Sequence, residues 1–203
     1  MKRDSNGLTN QVFDVLIIGG GIHGAAIARQ CSMHGLATAL VEKGDFGHAT
    51  SANSLKIIHG GLRYLQHLNI RRMRDSIMAR REMLRLAPHY VRPLGCVIPN
   101  TGFGVQGNLL MRCALWLNDL IGFDRNDGVE DTSRLPAGRI LSRRQCREII
   151  PGLQHASCSG ASLWYDALAV NSERLTLCMV QAAVAYGAKA VNHTELRKVL
   201  FEN

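Results

Sequence analysis

The run VFDVLIIGGGIHGAAIA, residues 12–28, constrains the fold of this chain more than any other stretch. Val12–Ile18 is short, apolar and β-rich, and it ends in glycines, the pattern of a parallel strand buried on both faces. Ile22–His34 is compatible with a helix, and Gly35 stands where a left-handed C-terminal residue is expected. Leu36–Val41 is a second apolar strand. The segment therefore reads as one strand–helix–strand unit of about 30 residues. That order predicts the α/β class and a Rossmann-like domain.

Gly19, Gly21 and Gly24 keep the G-x-G-x-x-G spacing in the context its physics needs, after a strand and at the start of a helix. Small residues there permit a tight turn, a close approach of pyrophosphate to backbone and tight helix–strand packing. The helix start offers N–H groups and a positive dipole end to phosphates. Glu42 lies 18 residues beyond Gly24 (42 − 24), close to the expected spacing of about 20. Its carboxylate can accept both hydroxyls of an adenosine ribose. A free 2′-hydroxyl is implied, so FAD or NAD fits better than NADP. The competing reading of Glu42 is a surface carboxylate paired with Lys43. His23, inside the turn, reads as a spacer with a backbone role.

Composition narrows the partners. Of 203 residues, 46% are hydrophobic and 20% charged, which is ordinary for a globular protein. The net charge of +8 favours anionic partners: phosphorylated small molecules, anionic lipid or nucleic acid. None of the six cysteines forms a C-x-x-C pair, so no zinc site is expected. MKRDSNGLTN has no apolar signal core behind its charges. Reduced thiols in a cytoplasmic protein are the simplest expectation. The longest apolar stretch, Leu109–Phe123, is interrupted by Arg112, Asn118 and Asp119 and is too short to span a bilayer.

Further along, a helix is expected over Arg71–Ala87, with Met73, Ile77 and Leu84 near one face and Pro88 ending it. Helices are also expected over Leu109–Ile121 and Arg143–Ile149, and a strand over Ala161–Tyr165. In the last helix Leu175, Cys178, Met179, Ala182 and Tyr186 recur at helical spacing. Asn171 or Ser172 can cap its start and Gly187 its end, before a short strand at Ala188–Asn192.

The stretch TSANSLKIIHGGLRYLQ, Thr50–Gln66, is the most specific in the chain. It resembles the TSSxSSKLIHGGLRYLE of the FAD-dependent glycerol-3-phosphate dehydrogenases, within the wider D-amino-acid-oxidase-like flavoprotein group. The family's GGGINGAGIA is GGGIHGAAIA here, and its EREVLLRxAPHLVxPL is matched by RREMLRLAPHYVRPL (Arg80–Leu94). LWYDALAVNSERLTL is similar to YxDxxVDDARLTL. There are departures. Leu55 and Ala52 replace family serines, and Asn171-Ser172-Glu173 stands in place of DDA.

The resemblance implies a partial FAD-binding domain from residues 1–94 and 165–203, with an inserted substrate or cap region at 95–164. By similarity Gly19, Gly20, Gly21, Ile22, His23 and Gly24 hold the pyrophosphate and Glu42 the ribose, with Lys43 also among the cofactor-binding residues. Thr50, Ser51, Ser54, Lys56 and His59 approach the phosphates or the isoalloxazine, with Gly60 and Gly61 letting backbone pass the ring. Arg63 and Tyr64 face the substrate, since a guanidinium fork suits a phosphate ester. His59 is the nominee for the base. The bland alternatives are a surface ion pair for Arg63 and a core histidine for His59. The implied reaction is oxidation of glycerol 3-phosphate to dihydroxyacetone phosphate by hydride transfer to flavin N5. The implied acceptor is a respiratory quinone, with peripheral contact at the inner face of the cytoplasmic membrane. The family runs to twice this length or more, so the chain is expected to be an N-terminal portion that alone binds FAD weakly.

Three other readings compete. One is an FAD-dependent oxidase of another small hydroxy or amino acid, with Arg63 on a carboxylate. The second is a non-catalytic flavoprotein remnant. The third is a basic membrane- or nucleic-acid-binding module built on RRMRDSIMARREMLR, Arg71–Arg85, whose arginines fall on several helix faces around an apolar seam. Aromatic residues are only 5%, so stacking platforms are scarce and no nucleic-acid partner is expected.

Overall fold

The computed structural model describes residues 6–100, 107–150, 152 and 159–201. In chain order its elements are β1 (Val15–Ile18), α1 (Ile22–Met33), β2 (Thr38–Val41), β3 (Ile57–Ile58), α2 (Ile70–Leu86), β4 (Val91–Asn100), α3 (Asn108–Ile121), β5 (Arg139–Leu141), α4 (Arg143–Ile149), β6 (Gly160–Ala169), α5 (Ser172–Ala185) and β7 (Lys189–Val191). A short 3-10 helix, Leu62–His67, precedes α2. Two compact units result, one from residues 1–56 with 170–203 and the other from residues 57–169. The division falls at 56/57 and 169/170, where the sequence suggested 94/95 and 164/165. Residues 57–94 go with the second unit because β3 and β4 both hydrogen-bond to β6.

The first unit is a parallel sheet in the order β1–β2–β7. Val15–Ile18 pairs in register with Thr38–Val41, and Ala39–Val41 with Lys189–Val191. β2 is central, and all four of its residues are buried, as expected for the middle strand of a parallel sheet; the hydroxyl of Thr38 donates to the Leu36 carbonyl at 2.9 Å. α1 and α5 pack against each other. Ala25, Ala28 and Ser32 give α1 a small-residue face, and Leu175, Thr176, Met179, Val180 and Ala183 are buried on α5. The buried stripe of α5 is thus turned from the expected one: Leu175 and Met179 hold their places, while Tyr186 is exposed. Thr176 can be buried because its hydroxyl donates to the Ser172 carbonyl at 2.9 Å. Asn171 is the cap, its Oδ1 accepting the Arg174 N–H at 2.8 Å.

The second unit is antiparallel. β6 lies between β4 on one edge and β5 and β3 on the other. β4 carries Pro93, Gly95 and Pro99, residues that disfavour a strand. They are tolerated because β4 ends the strand order, and an edge strand can carry a residue with no N–H to donate. Helices α2, α3 and α4 contact β6. On α2 the buried stripe is Met73, Ile77, Arg80 and Leu84, so an arginine occupies one apolar position. α4 starts in a capping box between Ser142 and Gln145, and Leu141, Cys146, Ala161 and Leu163 form a core cluster beneath it.

Replacing fully buried Leu84 with Ala should lower the unfolding free energy by about 2–4 kcal/mol. Leu86→Ala, exposed on the same helix, should change it by less than about 0.5 kcal/mol. Urea denaturation reads both, and equal losses would mean that α2 is not seated on the sheet.

Candidate functional site

The residues singled out from the sequence fall into two groups, one in each unit. In the first unit Gly19–Gly24 form the turn between β1 and α1. Gly24 is held to glycine by close approach, since a Cβ there would overlap the Gly19 carbonyl oxygen. This contact sets the start of α1 at the C-terminal end of β1. The first turn of a helix has N–H groups with no intrahelical acceptor. One of them, Ile22 N–H, donates to Ser51 Oγ at 3.0 Å. His23 is exposed on the same turn.

Glu42 directly follows the central strand and is only 7% exposed. Its Oε2 accepts Gly20 N–H at 2.6 Å, and its Oε1 accepts Gly44 N–H at 2.8 Å. It is not the surface partner of Lys43, which is exposed. A carboxylate oxygen carries two lone pairs, so each Glu42 oxygen retains room for one further donor, such as a ribose hydroxyl. Burial pushes the Glu42 carboxyl up. The N–H groups of Gly44 and Gly20, with the charges of His48 and Lys43, outweigh that and hold it below the ordinary range.

The loop after β2 folds back over the glycine turn. Gly47 N–H donates to the Gly20 carbonyl at 2.9 Å, and buried Phe46 lies against Gly20. Thr50 is exposed on this loop. Ser54 Oγ accepts the Lys56 N–H at 3.2 Å. Lys56, with φ of 57°, places its Nζ 3.2 Å from Glu173 Oε2. The Ser51 bond to the helix start and the Lys56–Glu173 pair are the partners that the sequence left open.

In the second unit His59 and Arg63 are exposed, Gly60 and Gly61 are buried, and Tyr64 is half-buried. His59 stands edge-on to the Tyr64 ring, with centroids 6.1 Å apart. It is not a core histidine. The guanidinium carbons of Arg63 and Arg72 lie 5.3 and 5.9 Å from the centroid of that ring. A hydrogen bond with Arg63, against the opposing effect of burial and with the charges of Arg63 and Arg72, holds the Tyr64 hydroxyl below its ordinary ionisation range. Arg63, Tyr64 and Arg72 thus form a cationic, hydrogen-bonding patch suited to an anion. Arg72 was not singled out from the sequence. Its place at the first turn of α2, just after the 3-10 helix that holds Tyr64, was the available signal.

Residues 14–202 match the FAD-dependent oxidoreductase family, and the chain belongs to it. A glycerol-3-phosphate dehydrogenase of Synechocystis sp. is 32% identical over 190 residues, 94% of this chain and 33% of its own length. The glycerol-3-phosphate dehydrogenase of Bacillus halodurans, solved in complex with FAD, has a TM-score of 0.67 at 24% identity, covering 97% of this chain and 29% of that one. The L-proline dehydrogenase of P. horikoshii has a TM-score of 0.64 at 20% identity, covering 95% of this chain and 47% of that one. At such identities the solved structures establish a shared fold. The chain spans between a quarter and a third of the length of the curated relatives it matches.

Because the folded-state carboxyl of Glu42 is depressed, its contribution is present above the ordinary value of 4.5 and is lost as pH falls through the lower folded value. Glu42→Gln turns an amide NH₂ toward one backbone N–H and should cost about 1–3 kcal/mol near neutral pH. Unfolding curves of the two proteins should converge in acid. A difference independent of pH would show that the Glu42 charge is not what the two amides hold.

Proposed function

We propose that this chain supplies the dinucleotide corner and an anion-receiving corner of an FAD-dependent dehydrogenase that oxidises glycerol 3-phosphate to dihydroxyacetone phosphate. The observation that carries the reading is the amide-bearing start of α1 at the end of a parallel strand pair, with Glu42 buried beside it. The residues present suit FAD: a turn too tight at Gly24 for a side chain, helix amides for phosphate, and a carboxylate with acceptor capacity for a ribose. Bound FAD would supply a two-electron hydride acceptor.

In this reading Gly19–Gly24 hold the pyrophosphate and Glu42 the ribose, with Lys43 also in the cofactor site. Thr50, Ser51, Ser54 and Lys56 serve the phosphates and ring, together with Gly60 and Gly61. Arg63 and Tyr64 bind the substrate phosphate, and His59 takes the proton of the hydroxyl being oxidised. The first unit is the nucleotide-binding part and the second the start of a substrate region.

A second reading rests on the same patch. Two guanidiniums and a phenol suit a carboxylate as well as a phosphate, which fits oxidation of a small hydroxy or amino acid. FAD titrated onto the chain, followed by flavin fluorescence, should bind at least about tenfold more weakly to Gly24→Ala, a factor worth about 1.4 kcal/mol. Equal affinity would remove the dinucleotide corner. In the flavin-loaded protein, anaerobic bleaching by glycerol 3-phosphate and not by proline, glycine or lactate is expected, and the reverse pattern would favour the carboxylate reading.

Peripheral membrane contact and a quinone acceptor belong to the same proposal. No described helix is long and apolar enough to cross a membrane. α3 and the residues just after it nonetheless show an apolar stripe at Leu109, Cys113, Trp116, Leu120 and Phe123, with Trp116 66% exposed. An aromatic-bearing apolar face on a basic chain suits an anionic lipid surface. Sedimentation with anionic vesicles should fall with rising salt and fall further in Trp116→Ser. Binding that ignores both would refute the contact.

A further inference from the structure

Beneath the His59–Tyr64 turn lies a charge pair that the reading above does not use. Arg80 sits on the apolar stripe of α2, between Ile77 and Leu84, and is 3% exposed; Asp166, on β6, is 7% exposed. Arg80 Nη1 donates to Asp166 Oδ1 at 2.6 Å and to the Tyr165 carbonyl at 2.9 Å. The same Oδ1 accepts Gly60 N–H at 2.6 Å, and Oδ2 accepts Trp164 Nε1 at 3.2 Å. A Cβ on residue 60 would fall on the Arg80 guanidinium. The turn backbone is therefore pressed against the cation and bonded to the anion. Arg80 Nε is buried with no hydrogen-bond partner among the described residues.

Stability is a weak reason for such a pair. Taking both ions out of water offsets most of their attraction, and an apolar replacement of similar volume is often neutral or better. A fourth apolar residue at position 80 would extend the stripe of Met73, Ile77 and Leu84. It would leave Asp166, the acceptor of Gly60 N–H, buried without a counter-ion. What the pair adds is a fixed peptide at Gly60, three residues before Arg63.

We propose that Arg80 and Asp166 are positioning residues: together they lock the backbone at Gly60 and so fix where Arg63 and Tyr64 stand to receive an anion. The anion-receiving half of this role rests on the proposed function, whereas the lock itself does not. The contact of Tyr64 with Arg63 and Arg72, 5.3 and 5.9 Å from its ring centroid, supplies a reporter, because Arg63 chiefly, and Arg72 with it, favours early ionisation of its hydroxyl.

The test uses Arg80→Met and Arg80→Lys. It reads hydrogen exchange at the Gly60 amide and the ultraviolet titration of Tyr64, isolated from the other tyrosines by subtracting Tyr64→Phe. Arg80→Met, checked for retained fold by circular dichroism, should speed Gly60 exchange about tenfold or more, the factor expected for losing a charged acceptor. It should also move the Tyr64 ionisation up toward that of free tyrosine. Arg80→Lys returns a counter-ion to Asp166 and should recover part of both effects. If Arg80→Met does not fold, Arg80→Lys decides alone, with exchange between the wild-type rate and that of a solvent-exposed amide. Unchanged Gly60 exchange, or faster exchange with an unmoved Tyr64, overturns the proposal. Glycerol 3-phosphate binding is measured separately in wild type and Arg63→Met. Failure there sinks the anion reading and leaves the lock to be judged by Gly60 and Tyr64.

Discussion

The closeness of α1 to the end of β1 governs the first unit. With no Cβ at Gly24, the helix seats against the Gly19 carbonyl, and its open amides are brought to the strand end. Three further bonds then become geometrically available. Gly20 N–H reaches Glu42, Gly47 N–H reaches the Gly20 carbonyl, and Ile22 N–H reaches Ser51. Each neutral bond is worth about 0.5–1.5 kcal/mol net, and the one to the Glu42 carboxylate about 1.5–3 kcal/mol. A methyl group at position 24 would push the helix away and weaken all of them together. The corner is therefore one cooperative object, and the loop over residues 44–56 belongs to it as much as the glycines do.

In the second unit, charge is directed inward. The arginine-rich stretch Arg71–Arg85 suggests a surface for polyanions, yet the structure turns part of it to the interior. Arg80 is committed to Asp166, and Arg74 and Arg81 share Asp124, with Arg74 Nη2 at 2.6 Å and Arg81 Nη1 at 2.9 Å from Oδ2. The Asp124 carboxyl is held low chiefly by its hydrogen bond with Arg74, against burial. Arg71, Arg72 and Arg85 stay exposed, and of these Arg72 joins the Tyr64 patch. The helix does carry an apolar seam, but its arginines serve three ends: internal pairing, the patch and solvent.

What was legible in the sequence was local and periodic. The strand–glycine–helix–strand run, the ends of α1 and α2 and the Asn171 cap follow from spacing, propensity and chemistry confined to a few neighbours. β4 was hidden because its prolines and glycine argue against a strand, and only its place at a sheet edge removes the objection. Arg80 was hidden for a similar reason. Its position on the stripe of Met73, Ile77 and Leu84 is plain, but a charge there makes sense only with Asp166, 86 residues away. Spacing found Glu42 and its chemistry. It could not show that backbone amides of Gly20 and Gly44 already hold both oxygens.

The most specific stretch in the chain, Thr50–Gln66, also contains the junction of the two units, between Lys56 and Ile57. Its first half belongs to the glycine corner: Ser51 meets the start of α1, Ser54 meets the Lys56 amide, and Lys56 meets Glu173. Its second half begins with β3, paired to β6, and leads into the locked turn and the Tyr64 patch. Lys56, the last residue of the first unit, has a left-handed backbone. A segment that serves one packing environment can vary wherever its neighbours adjust. This one has partners in both units within seventeen residues: Ser51, Ser54 and Lys56 bond within the first, and Ile57, Ile58 and Gly60 within the second. The connection between the units lies within this stretch itself, so no linker composition marks it, and the boundary that the family resemblance implied, at residues 94/95, fell elsewhere because β3 and β4 both pair with β6.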